Sequence, residues 1–222
     1  MSDARKREAV SGGTGSAGDL WVQDHIKAVC RRFAKAGWFA IAPELYSRQG
    51  NVAKLDNIQD VFKIVAEVPD SQVMSDLDAT VAYASKTGHC DGKKWSITGF
   101  GWGGRVTWLY AEHNPKLKAG VAWYGRLVGE ANAMTSKPPG DLAGSVTVPV
   151  LGLYGGKARG IGAETRGQMR AALLAAGRPS EIIVYPEADH GFHADYRPTY
   201  NEVAAKDGWL KLLAWMKKHG AA

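Results

Sequence analysis

The sequence feature that most constrains the fold is the stretch Trp95–Arg105, which reads WSITGFGWGGR. Its first half carries bulky β-forming residues, and four of the six residues from 99 to 104 are glycine. A helix-like run, Val106–Glu112, follows at once. Glycines are needed where a turn is so tight that side chains on either side of it would collide. The stretch therefore predicts a buried strand, a very sharp turn and a helix.

The remainder of the chain predicts one domain that spans residues 1–222. With 222 residues and 45% hydrophobic content, the chain can bury a substantial core. Residues 1–19 are charged and then rich in glycine and serine, without periodicity. We expect this N-terminal segment to be flexible or irregular.

Charge and cysteine content narrow the class of protein. The net charge of +6 is scattered along the chain, and no nucleic-acid-binding motif accompanies it, so we expect no nucleic-acid partner. Binding to an acidic polymer is an alternative that rests on this charge alone. The two cysteines suit a reducing compartment, and no signal peptide or long apolar run is present. These features predict a cytoplasmic protein that does not bind a membrane.

Apolar runs alternate with stretches of helical periodicity after residue 24, which predicts a parallel sheet with helices on both faces. The predicted strands are Trp38–Leu45, the strand before Gly101, Ala119–Tyr124, Pro149–Tyr154 and Glu181–Tyr185. In such sheets the chemistry collects at the carboxyl ends of the strands.

Two positions at those strand ends indicate a hydrolytic site. In an α/β-hydrolase the sharp turn after the central strand presents a nucleophilic Ser or Cys, but here the central residue is Gly101. His190 follows the last predicted strand, where such a fold places its general base. His193 lies three residues further on, but no third ligand lies nearby, so we predict no metal and no cofactor.

Five motifs, in this order and at these spacings, resemble the dienelactone hydrolase family of α/β-hydrolases. They are PELYSRQG, TGFGWGGR, WYG, LGLYGG and HGFH, and the resemblance runs from about Asp24 to the C-terminus. It implies an α/β-hydrolase-type, mostly parallel sheet and hydrolysis of carboxylic esters or lactones. The family uses a Cys–His–Asp triad, in which Ser replaces Cys in some relatives.

The resemblance also implies roles for individual residues. It places the nucleophile position at Gly101, the acid position at Ala158 and the triad histidine at His190. The resemblance further implies that the Trp102 amide binds the oxyanion and that Arg48 binds a carboxylate of the substrate. The family's second carboxylate-binding arginine is absent, and Arg197 is a partial substitute for it. Trp123 and Tyr124 correspond to aromatic residues of the family's pocket. Those two aromatic residues could equally be core at a strand end.

The chain departs from the family pattern at its N-terminus as well as in the triad. Residues 10–17 correspond to a central strand of the family but read VSGGTGSA, which is poor strand material. We therefore expect the N-terminal strands to be shortened or missing. Either this segment fills the gap despite its composition, or a second protomer in a homo-oligomer fills it, or nothing does.

Two functions remain open from the sequence. The first is a dienelactone-hydrolase-like ester or lactone hydrolase whose activity is doubtful, because two of the three triad positions lack a functional side chain. The alternative is a non-catalytic protein that binds a small ester or lactone on the same fold. The sequence does not distinguish natural loss of the triad from deliberate substitution.

Overall fold

The structure is a computed structural model that describes residues 7–14, 20–52, 55 and 57–221. Six strands form one sheet in the order β2-β1-β3-β4-β5-β6, and all neighbouring strands are parallel. The strands are β1 (Arg7–Thr14), β2 (Trp38–Ile41), β3 (Ser96–Gly101), β4 (Ala119–Trp123), β5 (Val150–Gly155) and β6 (Glu181–Tyr185). The predicted fold class, a parallel sheet with helices, is confirmed.

Within the described residues, seven helices connect and cover the strands. They are α1 (Leu20–Lys35), α2 (Ile58–Ala66), α3 (Asp70–Lys86), α4 (Trp102–His113), α5 (Pro139–Leu142), α6 (Ala163–Ala175) and α7 (Glu202–Lys218). Buried residues of α1 and α7 share one apolar cluster, whereas those of α2, α3, α4 and α6 belong to another. Two apolar layers, each sealed by helices, are what a parallel sheet buried on both faces requires. No helix in the described part of the chain is long and apolar enough to cross a bilayer.

The N-terminal segment supplies the strand that the sequence left in doubt. Strand β1 lies between β2 and β3: Val10 is in register with Ile41 on one side and Ile97 on the other. The expectation of a flexible or irregular segment is therefore wrong for Arg7–Thr14, while residues 1–6 and 15–19 lie outside the described residues. Pairing on both edges gives hydrogen-bond partners to the backbone N–H and C=O groups of β1 and its neighbours. Each such group would lower the stability of the fold by about 1–3 kcal/mol if it were buried without a partner. The sheet consequently needs no second protomer to close this gap.

Other boundaries differ from prediction by a few residues. Strand β2 ends at Ile41 rather than at Leu45, because Pro43 lacks the amide hydrogen that a ladder uses. Helix α7 agrees closely, since Asn201 caps it by accepting a hydrogen bond from the Ala204 amide at 3.0 Å.

Candidate active site

The turn between β3 and α4 is the centre of the site. Gly101 ends β3 with φ 58° and ψ −115°, and Trp102 begins α4. This backbone conformation is unfavourable for residues with a side chain. Behind the turn, a Cβ added to Gly104 would lie 2.5 Å from the Trp123 carbonyl oxygen and 2.9 Å from the Gly125 nitrogen. Gly104 therefore lets α4 approach the end of β4 directly, in addition to the sharp turn that the sequence predicts.

A pocket with a volume of about 520 Å³ opens beside this turn. It lies at the carboxyl ends of the strands, where a parallel sheet places its ligands. Of the predicted site residues, Gly101, Trp102, Tyr124, His190 and Arg197 line it. The structure thus brings the nucleophile position, the oxyanion position and the histidine to one pocket.

The loop after β5 is joined to the loop after β6, which carries His190. The amide of Lys157 donates a hydrogen bond to the Ala188 carbonyl oxygen at 3.0 Å, and the Gly156 amide donates one to Tyr185. Ala158, the next residue after Lys157, is buried and does not line the pocket. Its methyl group cannot accept a hydrogen bond from an imidazole, so the residue at which the family resemblance predicts the triad acid offers no carboxylate.

The environment of His190 keeps its imidazole neutral. The ring lines the pocket and packs edge-on against the Tyr124 ring, with 5.1 Å between centroids. Desolvation lowers the pKa of His190 below its ordinary value, and the charges of Arg197 and Arg126 lower it further, against the opposing charge of Asp189. At neutral pH the ring can therefore accept a proton.

Arg126 is a pocket residue that the sequence reasoning missed. It lies directly after the WYG motif, at the carboxyl end of β4, and lines the pocket with Arg197. Among the described residues, no carboxylate lies within ion-pairing distance of its guanidinium. Its place at a strand end was the signal that could have identified it.

The structure corrects two of the predicted substrate-binding residues. Arg48 does not line the pocket: its exposed side chain forms a two-pronged ion pair with Asp76, in which one N–O distance is 2.8 Å. Trp123 is completely buried, and its indole Nε1 donates a hydrogen bond to Thr98 at 3.1 Å. Trp123 is therefore core at a strand end, the second of the two roles left open for it.

One wall of the pocket is apolar. Helix α2 contributes Val61, Phe62 and Val65, and the segment after β4 contributes Val128. Phe62 is half exposed although it is a large aromatic side chain. The pocket thus combines an apolar wall with a polar region in which Arg126 and Arg197 outnumber the carboxylate of Glu130, an arrangement suited to a ligand with an apolar body and a negative group.

A buried ion pair fixes the floor of the pocket. Arg105 donates to both carboxylate oxygens of Asp70, at 2.7 and 2.8 Å, and the Ser136 amide donates to the same carboxylate at 2.9 Å. Burial raises the pKa of Asp70, but the hydrogen bonds and charge of Arg105 outweigh it, so the pKa is lowered. The contact with Ser136 ties the long segment between β4 and β5 to helices α3 and α4.

A chain of polar side chains, which begins at His25 on the pocket wall and runs behind the pocket, was also missed from the sequence. Arg32 lies 3.4 Å from Nε2 of the buried His193, and His193 Nδ1 lies 3.3 Å from Nε2 of His25. Arginine can only donate, so His193 Nε2 accepts from Arg32 and Nδ1 donates to His25. The Nδ1 of His25 then faces Asp195 at 3.7 Å. Both histidines are neutral in this arrangement.

No described group of three or more His, Cys, Asp or Glu side chains is arranged to hold a metal ion. The pair His190 and His193, which the sequence weighed as a metal site, is divided between two environments. His190 lines the pocket, whereas His193 is buried and bonded to His25.

The parallel sheet, the tight turn at Gly101 and the histidine beyond the last strand define an α/β-hydrolase. Within that class the chain belongs to the dienelactone hydrolase family: the profile of the family described as "Dienelactone hydrolase family" matches residues 18–220. The resemblance inferred from the five sequence motifs is thereby confirmed.

Individual relatives agree with this assignment. A protein of Methylorubrum extorquens, provisionally named a carboxymethylenebutenolidase, is 57% identical over 202 residues, which cover 90% of this chain and 69% of the relative. A Yersinia pestis protein with the same provisional name is 55% identical to this chain, and the match covers 75% of that protein's length. The crystal structure of a provisionally named dienelactone hydrolase from Klebsiella pneumoniae superposes with a TM-score of 0.92 at 48% identity, covering 98% of this chain and 89% of the other.

Proposed function

We propose that this member of the family binds a small carboxylic ester or lactone in the pocket but does not form an acyl-enzyme intermediate through a triad. The observation that carries the proposal is Gly101 in the turn conformation beside an otherwise well-formed pocket. The fold presents the nucleophile position to the ligand, yet the position has no atom that can attack.

The loss of two triad members weighs heavily against covalent turnover. In a covalent mechanism the nucleophile attacks the carbonyl, the histidine moves protons and the acid orients the histidine. Here only His190 remains, because Gly101 and Ala158 occupy the other positions. Removal of a triad nucleophile alone costs about a millionfold in rate in a well-studied protease. Binding is the part of the family's function that the remaining residues support.

The pocket walls favour a particular kind of ester or lactone. An apolar body fits against Val61 and Val65 of α2, while a negative group fits beside Arg126 and Arg197. The guanidinium of Arg126, which has no carboxylate partner among the described residues, favours an anionic ligand. Ligands without a negative group are accordingly expected to bind more weakly.

The proposal is tested with a hydrolytically inert lactone analogue. We would titrate an aryl γ-lactam that bears a carboxylate, and its neutral primary amide, by isothermal calorimetry. Arg126→Gln should weaken binding of the carboxylate by about tenfold, equivalent to about 1.4 kcal/mol. The matched control Arg48→Gln removes an arginine that lies outside the pocket and should leave binding unchanged. If neither the carboxylate lactam nor its neutral amide bound, the proposal would be overturned.

A kinetic experiment tests the chemical half of the proposal. With 4-nitrophenyl acetate in pre-steady-state conditions, the native chain should show no burst of 4-nitrophenolate, whereas Gly101→Cys should show one. A burst from the native chain would reveal a covalent nucleophile elsewhere and would contradict the absence of an acyl-enzyme.

A further inference from the structure

His190 has an unusual freedom for a histidine at such a site. The described residues provide no hydrogen-bond partner for either ring nitrogen, and the Tyr124 ring contacts the imidazole edge-on. The ring is neutral at neutral pH because desolvation and the charges of Arg197 and Arg126 lower its pKa. It can therefore accept a proton from a molecule in the pocket.

Position 101, at the turn beside the pocket, carries no side chain. Gly101 lines the pocket from the turn that would present a nucleophilic side chain, and no side chain caps the start of α4. The first amides of a helix have no partner within the helix, so the Trp102 amide can stabilise a developing negative charge. A proton acceptor and an oxyanion donor thus line the pocket, and the attacking atom is the missing component.

We propose that a small diffusible nucleophile supplies the missing atom, so that the pocket catalyses acyl transfer from a bound ester to water or to a small thiol. The nucleophile would occupy the space that a Ser or Cys side chain at position 101 would fill. The proposal rests on the binding of esters proposed above and adds an activity to it.

The reaction balances without any further reagent. The nucleophile's sulfur or oxygen forms a bond to the ester carbonyl carbon while His190 accepts its proton, and the carbonyl π electrons move to the oxygen beside the Trp102 amide. When the tetrahedral intermediate collapses, the carbon–alkoxide bond breaks and the departing alkoxide takes the proton back from His190. The products are an alcohol and either a carboxylic acid or a thioester, and no bond to the protein forms.

The test uses phenyl acetate as the ester and ethanethiol as the external nucleophile. The rate of S-ethyl thioacetate formation should saturate with thiol concentration and exceed the protein-free rate by about 10²-fold, the low end of what a positioned general base contributes. His190→Ala should abolish the excess rate, whereas His89→Ala, an exposed histidine outside the pocket, should not. Gly101→Ala should lower the rate at least tenfold, because its methyl group would occupy the space proposed for the external nucleophile. Gly144→Ala is the control and should leave the rate unchanged.

Each result separates this activity from the proposed binding. If the lactam binds but the thiol-dependent rate equals the protein-free rate, or survives His190→Ala, the acyl-transfer proposal is overturned and the binding proposal stands. If the lactam does not bind, both fail. Should Gly101→Ala unfold, His190→Gln provides the second decisive variant, because glutamine fills the same space but cannot accept the proton.

Discussion

The amide of Lys157 donates a hydrogen bond to the carbonyl oxygen of Ala188 at 3.0 Å, so the loop that holds the acid position is fastened to the loop that holds His190. This contact is made by backbone atoms and does not depend on the side chain at position 158. The scaffold that would orient a triad therefore persists although two of its side chains are absent.

This persistence predicts that acyl transfer can be restored by two substitutions together. Gly101→Cys provides a nucleophile but leaves His190 without an orienting carboxylate, and Ala158→Asp provides a carboxylate but no nucleophile. Triad members act as a unit, so the gains should be strongly non-additive. Without added thiol, we expect only slow, water-dependent turnover of 4-nitrophenyl acetate and a small lactone for the native chain and Ala158→Asp, slightly faster turnover for Gly101→Cys, and a clear gain for the double variant.

The control is His190→Ala in the double variant, which should remove the gain. An inert double variant that is folded would show that the backbone does not align the restored side chains with His190.

Much of the fold could be predicted because its elements carry strong local signals. Strand β6, for example, was predicted with the bounds Glu181–Tyr185 that the structure shows. Strand β1 could not be predicted, because its glycines have low strand propensity. The strand forms because β2 and β3 offer hydrogen-bonding edges on both sides, and this tertiary effect is invisible in the local sequence.

The site residues that stand in a sequence motif could be predicted. Those that reach the pocket only through the folding of distant segments could not. Gly101 and His190 stand in distinctive motifs, and both line the pocket. Arg48 was misassigned because its partner Asp76 lies 28 residues away and on another element. Arg126 and His25 were missed because neither belongs to a chemical motif, and only the folding of loops and α1 around the strand ends brings them to the pocket.

A second prediction concerns the backbone at the turn. At φ 58° and ψ −115° a Cβ is strained, and such strain costs about 1–3 kcal/mol. Gly101→Ser should therefore lower the free energy of unfolding by about this amount while leaving the fold intact, as measured by urea denaturation and circular dichroism. Gly144→Ser is the matched control: an added Cβ there meets nothing within 4 Å and the φ angle is not positive, so we expect little change. A clear rise in stability for Gly101→Ser would contradict the elbow assignment.

A third prediction concerns the ion pair under the pocket. Asp70→Asn leaves the buried guanidinium of Arg105 without its charge partner, and breaking a buried pair in this way costs about 3–5 kcal/mol. Glu202→Gln, which breaks the exposed pair with Lys206, should have a much smaller effect, because solvent screens that pair. Thermal and urea unfolding of both variants provide the comparison. Equal effects would show that the Asp70–Arg105 pair is no more important than a surface contact.

The last prediction concerns pH and follows from the polar chain behind the pocket. Desolvation lowers the pKa of both His25 and His193, and the positive charge of Arg32 lowers both pKa values further. At His25 the charge of Arg197 also lowers the pKa, whereas Asp195 raises it. The unfolded chain therefore binds protons at these sites more readily than the folded chain does. The contribution of the two neutral histidines to the free energy of unfolding is fully present above about pH 6.5, the pKa of histidine in the unfolded chain. This contribution is lost as the pH falls below that value.

The free energy of unfolding should accordingly fall between pH 7.5 and pH 5, and the fall should be smaller in His193→Gln, because glutamine cannot take up a proton. The slope of stability against pH is the measurement, since it separates proton uptake from any packing defect that the substitution causes. His89→Gln, at an exposed position, should retain the native slope. If His193→Gln also retains the native slope, the neutral histidine chain does not control the acid sensitivity of this fold, and the donor–acceptor order assigned from Arg32 to Asp195 is wrong.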